Sequence, residues 1–126
     1  MAIQIDTIGI VVRDMRQSLK FYRLLGLSIP DGQDSEPNVE FTAPNGLTLG
    51  FLTEETARQA DPRFREPVGQ RLNLQFRCDS PADVDAVHGR LVAAGYISHD
   101  NPWDAYWGQR FARIIDPDGS IVNLFA

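Results

Sequence analysis

The sequence has 126 residues, of which 43% are hydrophobic and 23% charged, a composition typical of one soluble globular domain. Its formal net charge of -5 argues against a nucleic-acid partner and is compatible with a cationic ligand. No apolar run is long enough to span a bilayer, so no membrane partner is expected. The single cysteine, Cys78, agrees with a reducing compartment, and we expect a cytoplasmic protein.

The first half of the chain predicts a strand, then a helix. Residues Ile3 to Val12 alternate and are rich in β-branched side chains, which is typical of a strand. Asp14 can cap the next helix, with Gln17 as its partner in a capping box, and Gly26 suits the residue after the last turn. Between them, apolar side chains recur at helical spacing: Met15, Leu19, Tyr22 and Leu25.

A hairpin and a charged connector follow. Val39 to Thr42 and Leu47 to Leu52 predict two strands joined by the turn Pro44-Asn45-Gly46. In the second of these strands, alternation places Leu49 and Phe51 on one side. Residues 54 to 71 are charged and contain proline and glycine, with a short helical tendency around Glu54 to Ala60. This connector is either a solvated link or a lid over a pocket.

The second half repeats this order. Leu72 to Cys78 predicts a strand, and Ser80 followed by Pro81 predicts the start of a helix with His88 at the edge of its buried stripe. Residues 99 to 106 are interpreted as a loop. The stretch Trp107 to Ala126 predicts a closing hairpin, because Pro117-Asp118-Gly119 joins two runs rich in β-branched and aromatic residues.

The repeat predicts an α+β fold with helices on the outer face of each sheet. We divide the single domain, residues 1–126, into module 1 at about 1–53, a linker at about 54–71 and module 2 at about 72–126. The faces opposite the helices combine polar, small and apolar residues. Two curved sheets that meet edge to edge would line a cleft with these faces.

Several motifs carry a resemblance to a known family, and the strongest of them, Trp107-Gly-Gln-Arg110 with Asp116-Pro-Asp-Gly119, lies at the end of the chain. Ile8 to Asp14, Ser18 to Tyr22, Leu25-Gly-Leu27, Asp83 to Val87 and Ala94-Gly95 complete the pattern. With these motifs the sequence resembles the vicinal oxygen chelate superfamily, which holds glyoxalases, extradiol dioxygenases, fosfomycin-resistance enzymes and bleomycin-resistance proteins. The resemblance implies two tandem βαβββ modules that form curved mixed sheets around a cleft, usually in a homodimer.

In the metal enzymes of that superfamily, four strands each supply one ligand, typically His or Glu. The matching positions here are Thr7, Gly50, Asn73 and Asn123. Neutral amides and a hydroxyl are weak ligands for a catalytic transition metal, and glycine offers no side chain. We therefore expect neither a metal nor another cofactor, and the resemblance points to the metal-free branch that includes bleomycin-resistance proteins.

The residues expected to bind a ligand are of two kinds. Aromatic side chains close together in sequence can stack on a flat aromatic or cationic molecule, although core packing or a dimer contact would use them equally well. Polar side chains in the groove would orient the ligand, unless they satisfy each other or bind water. The predicted ligand-binding residues are Thr48, Gly50, Asn73, Gln75, Trp103, Trp107, Phe111 and Asn123.

Other polar residues leave alternatives open. Arg77 either pairs with Glu40 or holds an anionic ligand, and His99 is either a surface histidine or a proton donor near a ligand. Cys78 is interpreted as a small buried hydrophobe.

The leading hypothesis is a non-enzymatic, metal-independent protein that sequesters an aromatic antibiotic or metabolite. One alternative is a lyase or dioxygenase-like enzyme of the same superfamily, either with metal ligands such as Glu40, His99 or Asp100 or with acid–base chemistry alone. Another is a non-catalytic interaction module with a vestigial cleft.

Overall fold

The computed structural model describes residues 2–126, which contain three helices and seven strands. The strands form two mixed sheets, and this architecture confirms the α+β class. Two compact units are present. The first comprises the chain up to Arg23 together with Leu27–Glu66, and the second comprises Leu24–Gly26 with Pro67–Ala126. The elements are β1 (Ile8–Val12), α1 (Met15–Leu25), β2 (Asn38–Thr42), β3 (Thr48–Thr53), α2 (Glu54–Ala60), β4 (Leu74–Arg77), α3 (Pro81–Ala93), β5 (Ser98–Asp104), β6 (Arg110–Ile115) and β7 (Ile121–Phe125).

The first unit contains a three-stranded sheet in the order β1-β3-β2, with β1 parallel and β2 antiparallel to the central strand. Helix α1 packs on one face of it, where the Tyr22 and Phe51 rings lie 5.1 Å apart and both side chains are fully buried. Because side chains alternate along a strand, burial of Leu49 and Phe51 turns Thr48 and Gly50 to the face opposite α1.

Local hydrogen bonds explain where helix α1 begins and how the chain leaves it. The Asp14 carboxylate accepts from the Gln17 backbone N–H at 3.1 Å, which confirms the predicted cap. After the helix, Arg23 donates to the carbonyls of Ile29 and Pro30 and pairs with Asp34. One partly buried guanidinium therefore holds the loop that leads to β2.

Strand β1 begins at Ile8, five residues later than predicted. Its register pairs Ile8 with Leu49, so residues before Thr7 would align with the turn that precedes β3, where no strand is available. Ile3 and Ile5 are accordingly 92% and 85% exposed. The first unit also has two strands after its helix, one fewer than a complete βαβββ module.

The second unit is a complete βαβββ module with strand order β4-β7-β6-β5. Helix α3 begins at the predicted cap, where the Ser80 hydroxyl accepts from the Asp83 N–H. Val84 and Leu91 of α3 are fully buried. The helix contacts the central strands of the sheet, whose side chains on that face are also buried: Ala112, Ile114, Val122 and Leu124.

The predicted loop at residues 99–106 was wrong over most of its length, since Ser98–Asp104 forms strand β5. Its register with β6 shifts twice, between Ser98 and Asp100 and between Asp100 and Trp103. β5 is also an edge strand, which tolerates Pro102 because one side of its backbone needs no partner.

The two predicted hairpin turns are present, at residues 43–47 and 116–120. Gly46 and Gly119 have φ values of +91° and +88°, a region that favours glycine. In the second turn the Asp116 carboxylate accepts from the N–H groups of Asp118 and Ser120. The predicted helical tendency of the connector corresponds to α2, capped by Thr53. None of the helices within residues 2–126 is long and apolar enough to cross a membrane.

His88 joins α3 to β5 from a buried position. It is 6% exposed, and its Nε2 lies 2.7 Å from the Ser98 hydroxyl, which itself donates to Asn101. Since the only proton of that hydroxyl is used, His88 Nε2 is the donor. Burial lowers the pKa of His88 because it disfavours the imidazolium, and the nearby Asp85 carboxylate offsets part of this effect.

We predict that His88 makes stability fall with acidity. Above about pH 6.5, the usual histidine value, neither the folded nor the unfolded chain protonates it and its contribution is fully present. Below that pH the unfolded chain binds the proton more readily than the folded chain. Stability therefore falls with pH until the pH is below the lowered pKa of His88 in the folded chain. Urea unfolding between pH 7.5 and 5.5 should show a larger loss for the native chain than for His88→Gln. An equal loss in both proteins would contradict the prediction, and His99→Gln, a substitution at an exposed site, is the control.

Candidate functional site

Two of the predicted ligand-binding residues lie in the first unit, on the sheet face opposite α1. The Thr48 hydroxyl is 2.9 Å from that of Thr42, its partner across the β2–β3 pair. Gly50 is buried, and a Cβ atom at this position would lie only 3.1 Å from the Thr7 methyl carbon. A side chain at position 50 would therefore require Thr7 to shift by a few tenths of an ångström.

The other six lie in the second unit, on or beside the sheet face opposite α3. A polar row crosses this face, formed by Gln75 of β4, Asn123 of β7, Arg113 of β6 and Asp100 of β5, each in register with the next. Arg113 Nη1 donates to the Asp100 carboxylate, and the two charges offset each other. Asn123 is 7% exposed, and its Oδ1 has no hydrogen-bond partner in the described part of the chain.

An aromatic cluster of Trp103, Tyr106, Trp107 and Phe111 adjoins this row. Trp107 lies at its centre, with ring centroids 5.5 Å from Trp103, 4.9 Å from Tyr106 and 5.2 Å from Phe111, all edge to face. Phe111 is buried, whereas Trp103 and Trp107 remain 38% and 43% exposed. The cluster thus presents large, rigid aromatic surface to a binding partner.

A cationic position completes the face. Arg77 is exposed, and its guanidinium carbon lies 5.7 Å from the ring centroid of Phe125, its register partner on β7. No carboxylate within residues 2–126 forms an ion pair with Arg77. Arg113 also contacts an aromatic ring, that of Phe111, at 4.8 Å.

The chemistry of the four positions that the resemblance implies as metal ligands does not fit a metal ion. The Thr7 hydroxyl donates to Asp6 at 2.7 Å, and Asn73 Oδ1 accepts from the Gln70 amide at 3.1 Å. Gly50 has no donor atom, which leaves one neutral carbonyl, that of Asn123. In addition, no three His, Cys, Asp or Glu side chains among the described residues are grouped as a metal site.

The remaining reactive residues lie outside this face or in protected surroundings. Cys78 is partly buried, and burial together with the nearby Asp83 and Asp79 carboxylates raises the pKa of its thiol. The thiol therefore stays protonated near neutral pH. Glu40 of the first unit lies beside Gly50, with its Cγ 4.0 Å from the place that a Cβ at position 50 would take.

The aromatic residues and Asn123 were named from the sequence as candidate ligand-binding residues, but Arg113 and Asp100 were not assigned to the same face. Asp100 fell in a stretch predicted as a loop, so no register with Arg113 could be assigned. The alternating pattern of β6, with Phe111, Arg113 and Ile115 on one side, was the available signal for Arg113. It stays a prediction that Thr48 and Gly50 bind the same ligand as the residues of the second unit.

In each unit a helix packs on one face of a mixed sheet, and in the second unit the opposite face carries polar and aromatic residues, an arrangement typical of glyoxalase-like folds. The profile of the Glyoxalase/Bleomycin resistance protein/Dioxygenase superfamily matches residues 4–124, so the chain belongs to that superfamily. No curated protein matches the sequence.

Solved structures share this fold across nearly the whole chain. A glyoxalase/bleomycin resistance protein/dioxygenase family enzyme from Burkholderia phytofirmans is 22% identical over 95% of both chains, with a TM-score of 0.81. A protein of unknown function from Agrobacterium tumefaciens is 27% identical over 99% of this chain and 94% of the other, with a TM-score of 0.74. A lactoylglutathione lyase from Agrobacterium tumefaciens is 22% identical over 97% and 92%, with a TM-score of 0.71. These identities show a common fold.

We predict that the purified protein retains no divalent metal. After dialysis against Fe²⁺, Ni²⁺, Mn²⁺ and Zn²⁺ in turn and removal of unbound ion, plasma mass spectrometry should find much less than one ion per chain. The melting temperature should also be unchanged by each ion, because a ligand that binds only the folded state would raise it. Retention of one ion per chain that a chelator removes would contradict the donor chemistry described here.

Proposed function

We propose that this protein is a metal-independent small-molecule binding protein of the glyoxalase/bleomycin-resistance type, which sequesters an aromatic antibiotic or metabolite. The observation that carries the proposal is the aromatic cluster, whose two partly exposed tryptophans contact each other and, through Phe111, the sheet face on which the buried Asn123 has an Oδ1 without a partner among the described residues. Apolar surface combined with a few directional polar groups is the usual composition of a small-molecule site. Sequestration requires binding alone, so the site needs no nucleophile or metal.

The alternative of a lyase or dioxygenase-like enzyme receives less support. Such chemistry on this fold would require strong ligands at positions now occupied by Thr7, Gly50, Asn73 and Asn123. Replacement ligands at Glu40, His99 and Asp100 are also weakly supported, because Asp100 is already paired with Arg113. Two of the similar structures are named as enzymes, but each is only 22% identical to this chain. Identity at this level shows a common fold and does not show a common activity.

We predict that an aromatic ligand quenches or shifts tryptophan fluorescence and that Trp103→Ala weakens its binding by about tenfold. Loss of a stacked ring removes roughly 1 kcal/mol or more of contact energy, which corresponds to that factor. Binding should be measured by calorimetry across a panel of planar antibiotics and metabolites, with fluorescence as the second readout.

Phe64→Ala is the matched control, since Phe64 lies in the first unit and its ring contacts Arg58. The control should bind as the native chain does. The proposal fails if no member of the panel changes the fluorescence or the melting temperature, or if Trp103→Ala and Phe64→Ala have equal affinity.

We also propose a cytoplasmic homodimer without nucleic-acid or membrane partners. The single cysteine and the acidic charge balance support the location and the absence of a nucleic-acid partner. The dimer is supported by β1, an edge strand whose preceding residues include the exposed Ile3 and Ile5. An alternating β-branched segment beside an unpaired edge is well suited to add a strand to a second copy.

We predict that sedimentation equilibrium gives about twice the chain mass and that Ile3→Lys combined with Ile5→Lys shifts the equilibrium to monomer. Charges on the apolar side of an added strand would have to be buried on association, which is costly. The matched control is Val68→Lys, because Val68 is 99% exposed in the connector. A monomeric native chain, or a dimer unaffected by the double substitution, would refute the predicted interface.

A further inference from the structure

The unpartnered carbonyl of Asn123 indicates a hydrogen bond that residues 2–126 do not supply. A buried polar atom without a partner costs roughly 1–3 kcal/mol, and native proteins contain few of them. The residues in register with Asn123 are Gln75 on one side and Arg113 on the other. Arg113 directs its guanidinium to Asp100, so it leaves Asn123 Oδ1 without a donor.

The charges on this face favour an anionic ligand over a cationic one. Asp100 is neutralised by Arg113. Arg110 lies on the helix side of β6 with Ala112 and Ile114, so its pairs with Asp85 of α3 at 3.0 Å and with Asp104 at 3.2 Å do not belong to this face. Among the described residues of this face, the charged side chain without an ion-pair partner is that of Arg77.

Arg77 and Asn123 are close enough to contact one small molecule. Gln75 is in register with Asn123, and Arg77 is two residues further along β4, in register with Phe125. With strands about 4.8 Å apart and a rise of about 3.3 Å per residue, the two positions are about 8 Å apart. The exposed Gln75 side chain is the neighbour of Asn123 on the β4 side, and the aromatic cluster lies on the β6 and β5 side of the same face.

We propose that the ligand is a planar aromatic acid that also carries a hydroxyl or N–H donor. Its donor binds Asn123 Oδ1, its carboxylate binds the Arg77 guanidinium, and its ring contacts the aromatic cluster. This inference rests on the proposed function and specifies the ligand class. The net charge of -5 alone would have suggested a cationic ligand.

The test uses five naphthalenes with the full-length protein and calorimetry. The complete probe is 6-hydroxy-2-naphthoate, in which donor and carboxylate are at opposite ends of the ring system. The compound 2-naphthoate lacks the donor, 6-methoxy-2-naphthoate replaces it by an ether, 2-naphthol lacks the carboxylate, and 2-naphthylmethylammonium reverses the charge. We expect the complete probe to bind at least about tenfold more tightly than each of the others, since one charge-assisted or well-buried hydrogen bond accounts for that factor.

Substitutions assign each contact to its residue. In Asn123→Leu the preference for the hydroxyl over the methoxy compound should disappear, and the melting temperature of the free protein should rise by about 4 °C because the unpartnered carbonyl is gone. In Arg77→Gln the preference for 6-hydroxy-2-naphthoate over 2-naphthol should disappear. Arg65→Gln, a charge-matched control in the connector, should preserve both preferences.

The outcomes separate this inference from the proposed function. Two results on the native chain would overturn the proposed ligand class: equal binding of the hydroxyl and methoxy compounds, or tighter binding of the ammonium than of 2-naphthoate. Either result would still be compatible with a site that binds aromatic molecules. Binding by none of the five, with no change in tryptophan fluorescence, would count against both. The comparison of compounds on the native chain decides the question even if Asn123→Leu does not fold.

Discussion

The burial of Val122 and Leu124 beneath α3 is the constraint on which the candidate site depends. Because strand side chains alternate, these two residues force Asn123 between them to the opposite face, and the β6–β7 register then sets Arg113 beside it. In the first unit, burial of Leu49 and Phe51 assigns Gly50 to the opposite face in the same way. The core therefore determines where the site residues lie without determining what they are.

This separation explains how a glyoxalase-type fold can lack the ligands of a metal enzyme. Exchange of His or Glu for asparagine or glycine on the face opposite the helices leaves the apolar face and its packing unchanged. A Cβ at position 50 would lie 3.1 Å from the Thr7 methyl carbon, so a side chain there would require Thr7 to shift by a few tenths of an ångström. At Asn123, by contrast, a polar side chain has been kept in a buried position where an apolar one would be more stable. With total stabilities of roughly 5–15 kcal/mol, a cost of roughly 1–3 kcal/mol is substantial, which favours a binding role for this residue.

Features specified by neighbouring residues could be predicted from the sequence. The caps at Asp14 and Ser80 and the turns at Gly46 and Gly119 involve side chains and carbonyls only a few residues apart, and the structure contains all four. The errors occurred where strand pairing, rather than local composition, determines the secondary structure. Residues 3–7 have a strand composition but lie beyond the end of β3, while Ser98–Asp104 has a loop composition but pairs with β6 along an edge. The aromatic cluster was predictable because its members are close in sequence, whereas the Asp100–Arg113 pair depended on a register that no local pattern encodes.

The charge of the whole chain is a poor guide to the charge of the site for the same reason. Acidic residues outnumber basic ones by 17 to 12, yet on the sheet face opposite α3 Asp100 is matched to Arg113. Arg77 lies on an edge strand beside the Phe125 ring, and no described carboxylate pairs with it, so its charge is available to a ligand. At physiological ionic strength the excess of carboxylates elsewhere is screened beyond about 8 Å, and an anion close to Arg77 experiences mainly that guanidinium. Local pairing, rather than the overall balance, therefore decides which ligand charge this face can accept.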